Sequence, residues 1–404
     1  MQEQHRELIE WIRSHPDGFV SDKLEIRVAD PNNPASGSGM FVNGPIKEGE
    51  LLYSLPWDLL IKADDASPDG ELKTLMSCGL VRSLLRELRL GDESTFGPYL
   101  KYFHSFDASG LVGNWSEDGY DLLVEISGLD WSHNTFVDDY WLDHCDGSTD
   151  PLEEKAAEYV ATRAEDFVLI PLFDLANHRN GHMNYAHVNK KIEVVGGVGA
   201  DGIATRDIAA GEEIHHSYYL CPKCGDSLSD GFGTRRLLQN YGFVESMPQR
   251  WGFYLKNDDL DETIDITFDI DYAKPGAPPG ELDLRWDDGE TPKNENELIY
   301  LREELERLEE EEDELNNDDD EIPDSEYDVI RRYLEARIVA FRKAIQVATE
   351  VIEKFDDQIE QAVSMEDIEG ADDEIEQVWD QRGSPEEKMM KQHRELIEWI
   401  RSHP

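Results

Sequence analysis

The texture of this chain changes near Val244, from short strands between turns to an acidic, mostly helical remainder, and that change constrains the fold more than any other feature. Before it, Leu24–Val28, Gly39–Val42, Glu50–Ser54, Val168–Leu172, Ile192–Val195 and Gly202–Thr205 read as short strands between Pro, Asn, Gly and Ser turns. Helical spacing occurs there in three places. Leu8, Ile9, Trp11 and Ile12 share one face that ends at Pro16-Asp17-Gly18; Leu72–Leu90 repeats leucine at helical intervals; a further helix lies near Leu152–Arg163, after a Trp- and Asp-rich irregular region. Beyond Val244, Asp265–Asp271 alternates with period two, and Lys274–Gly280 reads as a linker. Helices follow over Glu295 to about Leu315 and over about Asp328 to Val363. The second carries Ile330, Leu334, Ile338, Phe341, Ile345, Ala348, Ile352, Phe355 and Ile359 in a stripe narrow enough for one partner helix. Asn316–Glu321, between the two, is an acidic loop. The expectation is an α+β chain ending in a mostly helical lobe.

Charge narrows the choice of partners. The formal net charge is −52, and residues from Lys256 onward carry 48 acidic against 17 basic side chains. Such a surface repels nucleic-acid phosphates and anionic membranes and attracts a basic protein, unless it is simply a solubilising surface. No run of about 18 apolar residues exists to span a bilayer. The four cysteines are too few for a disulfide framework in 404 residues, and the polar start reads as no secretory or transit leader. Together these favour an intracellular chain, cytoplasmic or nuclear rather than plastid.

The chemistry concentrates in residues 169–244. An apolar strand ends in Asp174-Leu175-Ala176-Asn177-His178, then come Gly211-Glu212-Glu213-Ile214-His215-His216-Ser217-Tyr218 and Asn240-Tyr241-Gly242-Phe243-Val244. Upstream stand Gly37-Ser38-Gly39-Met40-Phe41-Val42, Ile46–Leu52 with Leu55-Pro56, and Phe96–Leu100. This ordered set resembles the SET-domain protein methyltransferases, in the branch of the plant Rubisco large-subunit lysine methyltransferase and the actin-histidine methyltransferase. The resemblance covers residues 4 to 255 well and the helical remainder in outline.

The resemblance implies S-adenosylmethionine as cofactor and a protein substrate. It makes Tyr218 and Tyr241 catalytic, Tyr218 beside the transferring methyl and Tyr241 lining the substrate channel. It assigns Gly37, Gly39, Met40, Arg163, Asn177, His178 and Phe243 to the cofactor: the glycines for close backbone approach, the arginine for the cofactor carboxylate, the phenyl for the adenine side. Glu165 and Asp166 fall where a substrate-pocket residue stands, or at a solvated helix end. Taken singly, each residue has a plainer reading: Tyr218, Tyr241 and Phe243 as core aromatics, Asn177-His178 as a strand-ending turn, Gly37 and Gly39 as a hairpin turn. Two departures stand out. Tyr219 replaces a glycine, and a longer segment with Cys221-Pro222-Lys223-Cys224-Gly225 follows. That knuckle is half a zinc site, which Cys78, Cys145 or nearby histidines could complete, or a loop with a thiol pair.

The expected organisation is residues 1–62 and 165–255 as the two parts of a SET domain of short mixed strands, with 63–164 as a helical insert. Residues 256–385 form the acidic, mostly helical lobe, which in the family holds the protein substrate. The tail, 386–404, repeats Gln4–Pro16 without change as Gln392–Pro404, as the start of a tandem copy, an assembly artefact or an exchanging helix. Lysine methylation is the leading activity. Histidine methylation and a non-catalytic SET-like binding module are the rivals.

Overall fold

The opening helix α1 (Gln2–Ser14) forms where the sequence repeats apolar residues at helical spacing, and it buries Leu8 and Ile12 completely. It belongs to a computed structural model that describes residues 2–30, 33–63, 76–127, 136–165, 168–180, 185–190, 199–218, 233–257, 262–274, 278, 280–286, 295–315 and 322–366. After α1 come β1 (Phe19–Val20), β2 (Leu24–Asp30), β3 (Asn33–Val42), β4 (Leu51–Leu55) and β5 (Ile61–Lys62). The helices α2 (Met76–Leu90), α3 (Gly97–Ser105), α4 (Glu117–Ser127) and α5 (Pro151–Arg163) follow. Short strands return as β6 (Ala164–Glu165), β7 (Val168–Leu169), β8 (Asn177–His178), β9 (Tyr185–Lys190), β10 (Gly199–Ala204) and β11 (Glu213–His216). The chain continues through α6 (Thr234–Tyr241), β12 (Gln249–Asn257), β13 (Glu262–Tyr272), β14 (Leu282–Trp286), α7 (Glu295–Leu315) and α8 (Asp324–Glu366).

The strands make four small sheets, in the orders β1-β4-β10-β9, β2-β3-β11-β8, β5-β7-β6 and β12-β13-β14. All pairings are antiparallel except β11 with β8, where His215 faces Asn177 and His216 faces His178. That parallel contact brings together two segments 38 residues apart in sequence, and it builds the site.

Two hydrophobic cores result. One packs α1, α2, α3 and α5 against the first three sheets; Tyr53, Tyr99, Phe103 and Tyr159 are among its fully buried members. The other joins β12–β14 to α7 and α8 through Trp251, Phe253, Phe268 and Phe341. Helix α4 and the turn before it, with Val112, Trp115, Leu123 and Ile126, belong to this second core.

Four expectations change. The Trp- and Asp-rich stretch contains α4, whose apolar positions are interrupted by Gly119 and acidic residues. Residues 274–280 link β13 not to a helix but to a further strand, β14, with Ala273 N–H donating to the Glu281 carbonyl at 2.9 Å. The α8 stripe meets more than α7, since the Phe341 ring lies 4.3 Å from that of Phe253 on β12. Cys78 and Cys145 form a disulfide between α2 and the segment before α5, so they are not ligands for a zinc at Cys221 and Cys224. Those two cysteines, Tyr219, Asp166, the 192–195 strand, the 316–321 loop and the repeated tail lie outside the described residues. Among the described residues no helix is long and apolar enough to cross a membrane.

Candidate active site

Tyr218 occupies the first turn after β11, and its place follows from how that strand ends. The β8–β11 ladder continues past His216, whose carbonyl accepts from Arg179 N–H at 3.0 Å. Ser217 then donates its buried hydroxyl to Asn180 Oδ1 at 2.8 Å. Tyr218 N–H donates to His178 Nδ1 at 3.0 Å, which fixes that imidazole in the tautomer with its proton on Nε2. Burial, with the nearby His215 adding to it, lowers the His178 pKa to about 3, so the ring is neutral at physiological pH.

The Tyr218 hydroxyl donates to the Ala176 carbonyl at 3.2 Å. Burial pushes its phenol up to about 12 against the opposing pull of Arg163, so Tyr218 is a neutral hydroxyl and not a base. Aromatic rings surround it: Tyr241 at 4.8 Å, His216 at 4.9 Å, His178 at 5.1 Å and Phe243 at 6.4 Å between centroids. Burial raises the Tyr241 phenol too, with Tyr218 adding to the rise. Two tyrosines from separate segments thus share one desolvated wall.

A polar cradle adjoins this wall. Asn177 Nδ2 donates to Glu213 Oε1 at 2.7 Å, and Glu213 Oε2 lies 3.3 Å from His215 Nε2. Burial raises the Glu213 carboxyl, but the bonds from His215 and Asn177 outweigh it and leave its pKa lowered. Gly39 on β3 faces the pair so closely that a Cβ there would collide with the Glu213 carboxylate and come within 2.9 Å of Asn177 Nδ2. Gly37 takes φ +78°, a left-handed turn conformation that favours glycine. Met40 is different: its side chain is fully buried in the core, paired across the sheet with Ile26 and Ile214.

Arg163 ends α5 beneath the site. Its Nη1 donates to the Asp174 carbonyl at 2.5 Å, and its guanidinium stacks 5.5 and 5.6 Å from the Tyr159 and Phe106 ring centres. Its buried Nε has no partner among the described residues. Asp174 accepts from the hydroxyls of Tyr99 at 2.6 Å and Tyr159 at 3.2 Å. Burial raises the Asp174 carboxyl against the opposing influence of Arg163. Leu172, two residues earlier, has φ +73°, a conformation non-glycine residues adopt only under constraint, and it turns the chain into the 173–175 helical turn.

The structure therefore gathers Gly39, Arg163, Asn177, His178, Tyr218, Tyr241 and Phe243 into one region. Glu165 on β6 is half-buried and lies within electrostatic reach of Tyr241. Sequence reasoning missed Glu213, Asp174, Tyr99 and Tyr159. A carboxylate inside the apolar run Leu172–Leu175 was the available signal for Asp174.

Residues 37–219 match the SET domain family model, and the chain has the α+β architecture of a SET fold. It is similar to the structure of Rubisco LSMT bound to sinefungin and monomethyllysine, at TM-score 0.54 and 15% identity, over 88% of this chain and 94% of that one. It is likewise similar to the SET domain of LSMT bound to lysine and AdoHcy, at TM-score 0.53 and 15% identity, over 93% and 98%. In sequence it is 26% identical over 291 residues to the chloroplastic fructose-bisphosphate aldolase-lysine N-methyltransferase of Arabidopsis thaliana, 63% of this chain and 54% of that protein. The chain thus spans about half the length of this curated relative.

Proposed function

We propose that this chain is an S-adenosylmethionine-dependent protein methyltransferase acting on lysine. The observation that carries the reading is the desolvated wall of Tyr218 and Tyr241 beside the Gly39–Asn177–Glu213 cradle. Methyl transfer to an amine is an in-line displacement, so alignment and dehydration are the protein's main contributions. A lysine ammonium must lose a proton before it can attack, and a dry aromatic channel lowers its pKa and favours that loss. Two neutral phenols supply hydroxyl oxygens that orient the amine without holding it in the charged form. Neither titrates near neutral pH, so neither acts as a base.

The residues suit the cofactor. Gly39 leaves the backbone of β3 open where any side chain would fill the cradle. The buried Nε of Arg163 has no partner among the described residues and provides a donor for a carboxylate. Asn177 would hold the polar end of the cofactor, and His178 and Phe243 would pack on its ring. When bound, the cofactor supplies a methyl group on a positively charged sulfur. Everything else is done by the chain: Arg163 and Asn177 orient, the aromatic wall excludes water, and Tyr218 sets the approach.

The resemblance to a lysine N-methyltransferase is in keeping with lysine as the target, and the acidic residues beyond 256 suit a basic protein as substrate. The test uses methyl-labelled cofactor, the purified chain and cell lysate, with Tyr218→Phe in parallel. Label recovered as methyl-lysine and lost with Tyr218→Phe is the expected result. Methyl-histidine would overturn the substrate class. Absence of label in every fraction, with cofactor binding demonstrated, would favour a binding module.

A further inference from the structure

Tyr241 and Phe243 flank Gly242, and Gly242 is where the pocket touches a segment that the C-terminal helices control. It ends α6 in the left-handed conformation, φ +73°, with its N–H donating to the Leu238 carbonyl at 2.8 Å. Its α-carbon presses on the Gly110 carbonyl so closely that a Cβ would overlap that oxygen. The same Gly110 carbonyl accepts the indole N–H of Trp115 at 3.2 Å. Asn114 braces the turn, donating to the Ala108 carbonyl at 3.0 Å and to Glu158 on α5 at 2.6 Å.

Trp115 leads into α4, and both ends of α4 are held by the C-terminal helices. At its start, Ser116 N–H donates to the two Glu326 carboxylate oxygens at 3.1 and 3.2 Å, and the Ser116 hydroxyl donates to one of them at 2.6 Å. Glu326 is buried at the beginning of α8, 210 residues away, and holds Ser116, whose hydroxyl oxygen in turn caps α4 by accepting from Gly119 N–H at 3.1 Å. Gly119 makes room for it, since a Cβ there would strike the Glu326 carboxylate. At the other end, the Ile126 carbonyl accepts from Arg307 at 2.9 Å and Arg337 at 2.6 Å. Glu304 lies between these arginines, 2.8 Å from each. A helix fixed at both termini by α7 and α8 moves with them.

We infer that Glu326 is a positioning residue for Tyr241: through Ser116 and Trp115 it sets the Gly110 carbonyl on which Gly242, and with it the Tyr241 ring beside Tyr218, is seated. Its effect on turnover rests on the methyltransferase reading; its effect on the Tyr241 segment does not.

The test is hydrogen exchange on the full chain with Glu326→Gln and, separately, Trp115→Phe. The first keeps the side-chain volume but loses one acceptor oxygen; the second keeps an aromatic ring but loses the indole donor. Both are expected to speed exchange at 238–244 by about tenfold, the scale of one lost helix cap. Both are expected to lower turnover while the KM for the cofactor and the global unfolding midpoint stay near wild type. Arg342→Ala, which removes an exposed pair with Glu309 elsewhere on the same helices, is expected to change neither. Unchanged exchange at 238–244 in both variants overturns the inference, as does a uniform rise across the chain. A wild-type protein that methylates nothing tells against the methyltransferase reading alone, because the exchange result stands without turnover.

Discussion

Glu245, two residues beyond Phe243, gives the sharpest quantitative prediction. It is only 6% exposed, and the Thr234 hydroxyl donates to its Oε1 at 3.0 Å. Burial pushes its pKa up to about 8 from 4.5, with the Thr234 bond opposing the shift. Between those values the folded chain keeps a proton that the unfolded chain has released, so stability falls as pH rises. The contribution is fully present below the unfolded pKa and is lost as pH climbs through about 8. Within the window the loss is one proton's worth, about 1.4 kcal/mol per pH unit, on the order of 5 kcal/mol in all. Glu245→Gln keeps the acceptor for Thr234 and removes the titration. Urea unfolding of both proteins at a series of pH values between about 5 and 9 isolates this one group, since the other carboxylates are common to both. The stability difference should swing in favour of the variant at that slope and level off above about 8. Parallel curves across the window would refute the reasoning, whatever the absolute stabilities.

Removing Glu304 leaves Arg307 and Arg337 without the carboxylate they share, and Arg337 is buried. Glu304→Ala should cost ~3–5 kcal/mol in a denaturant titration, and adding Arg337→Met should recover part of it. The Cys78–Cys145 bond spans a sequence separation of 67, so reduction should cost up to about 4 kcal/mol on a chain-entropy estimate. A fall in thermal midpoint with dithiothreitol, absent in a Cys78→Ala/Cys145→Ala variant, is the check. Gly242→Ala should be strongly destabilising, by ~1–2 kcal/mol for the left-handed backbone plus displacement of the Gly110 carbonyl; a near-neutral unfolding midpoint would mean the contact is slack.

The candidate site was legible wherever its residues lie in short contiguous segments. Asn177-His178, Tyr218 and Tyr241-Gly242-Phe243 could be read in order along the chain, and Arg163 does reach the region, at the Asp174 carbonyl. Glu213 could not be read, because its role arises only when β11 pairs with β3 and β8 and sets its carboxylate against Gly39 and Asn177. Helix α4 escaped for a similar reason: Gly119 interrupts its pattern, and distant helices hold both its ends. The helices α7 and α8 were readable from periodicity alone, the first with its observed limits. Strand β14 escaped because Leu282–Trp286 is short and follows a Pro- and Gly-rich connection that could lead to any element.

The central claim is that Gly39, Asn177 and Glu213 form the cofactor cradle beside Tyr218. Calorimetric titration of the full chain and of Gly39→Ala with S-adenosylhomocysteine tests it most directly. The account predicts one molecule bound per wild-type chain, and no measurable binding by Gly39→Ala although its circular dichroism is unchanged. Equal binding by the two proteins, or none by the wild type, would contradict it.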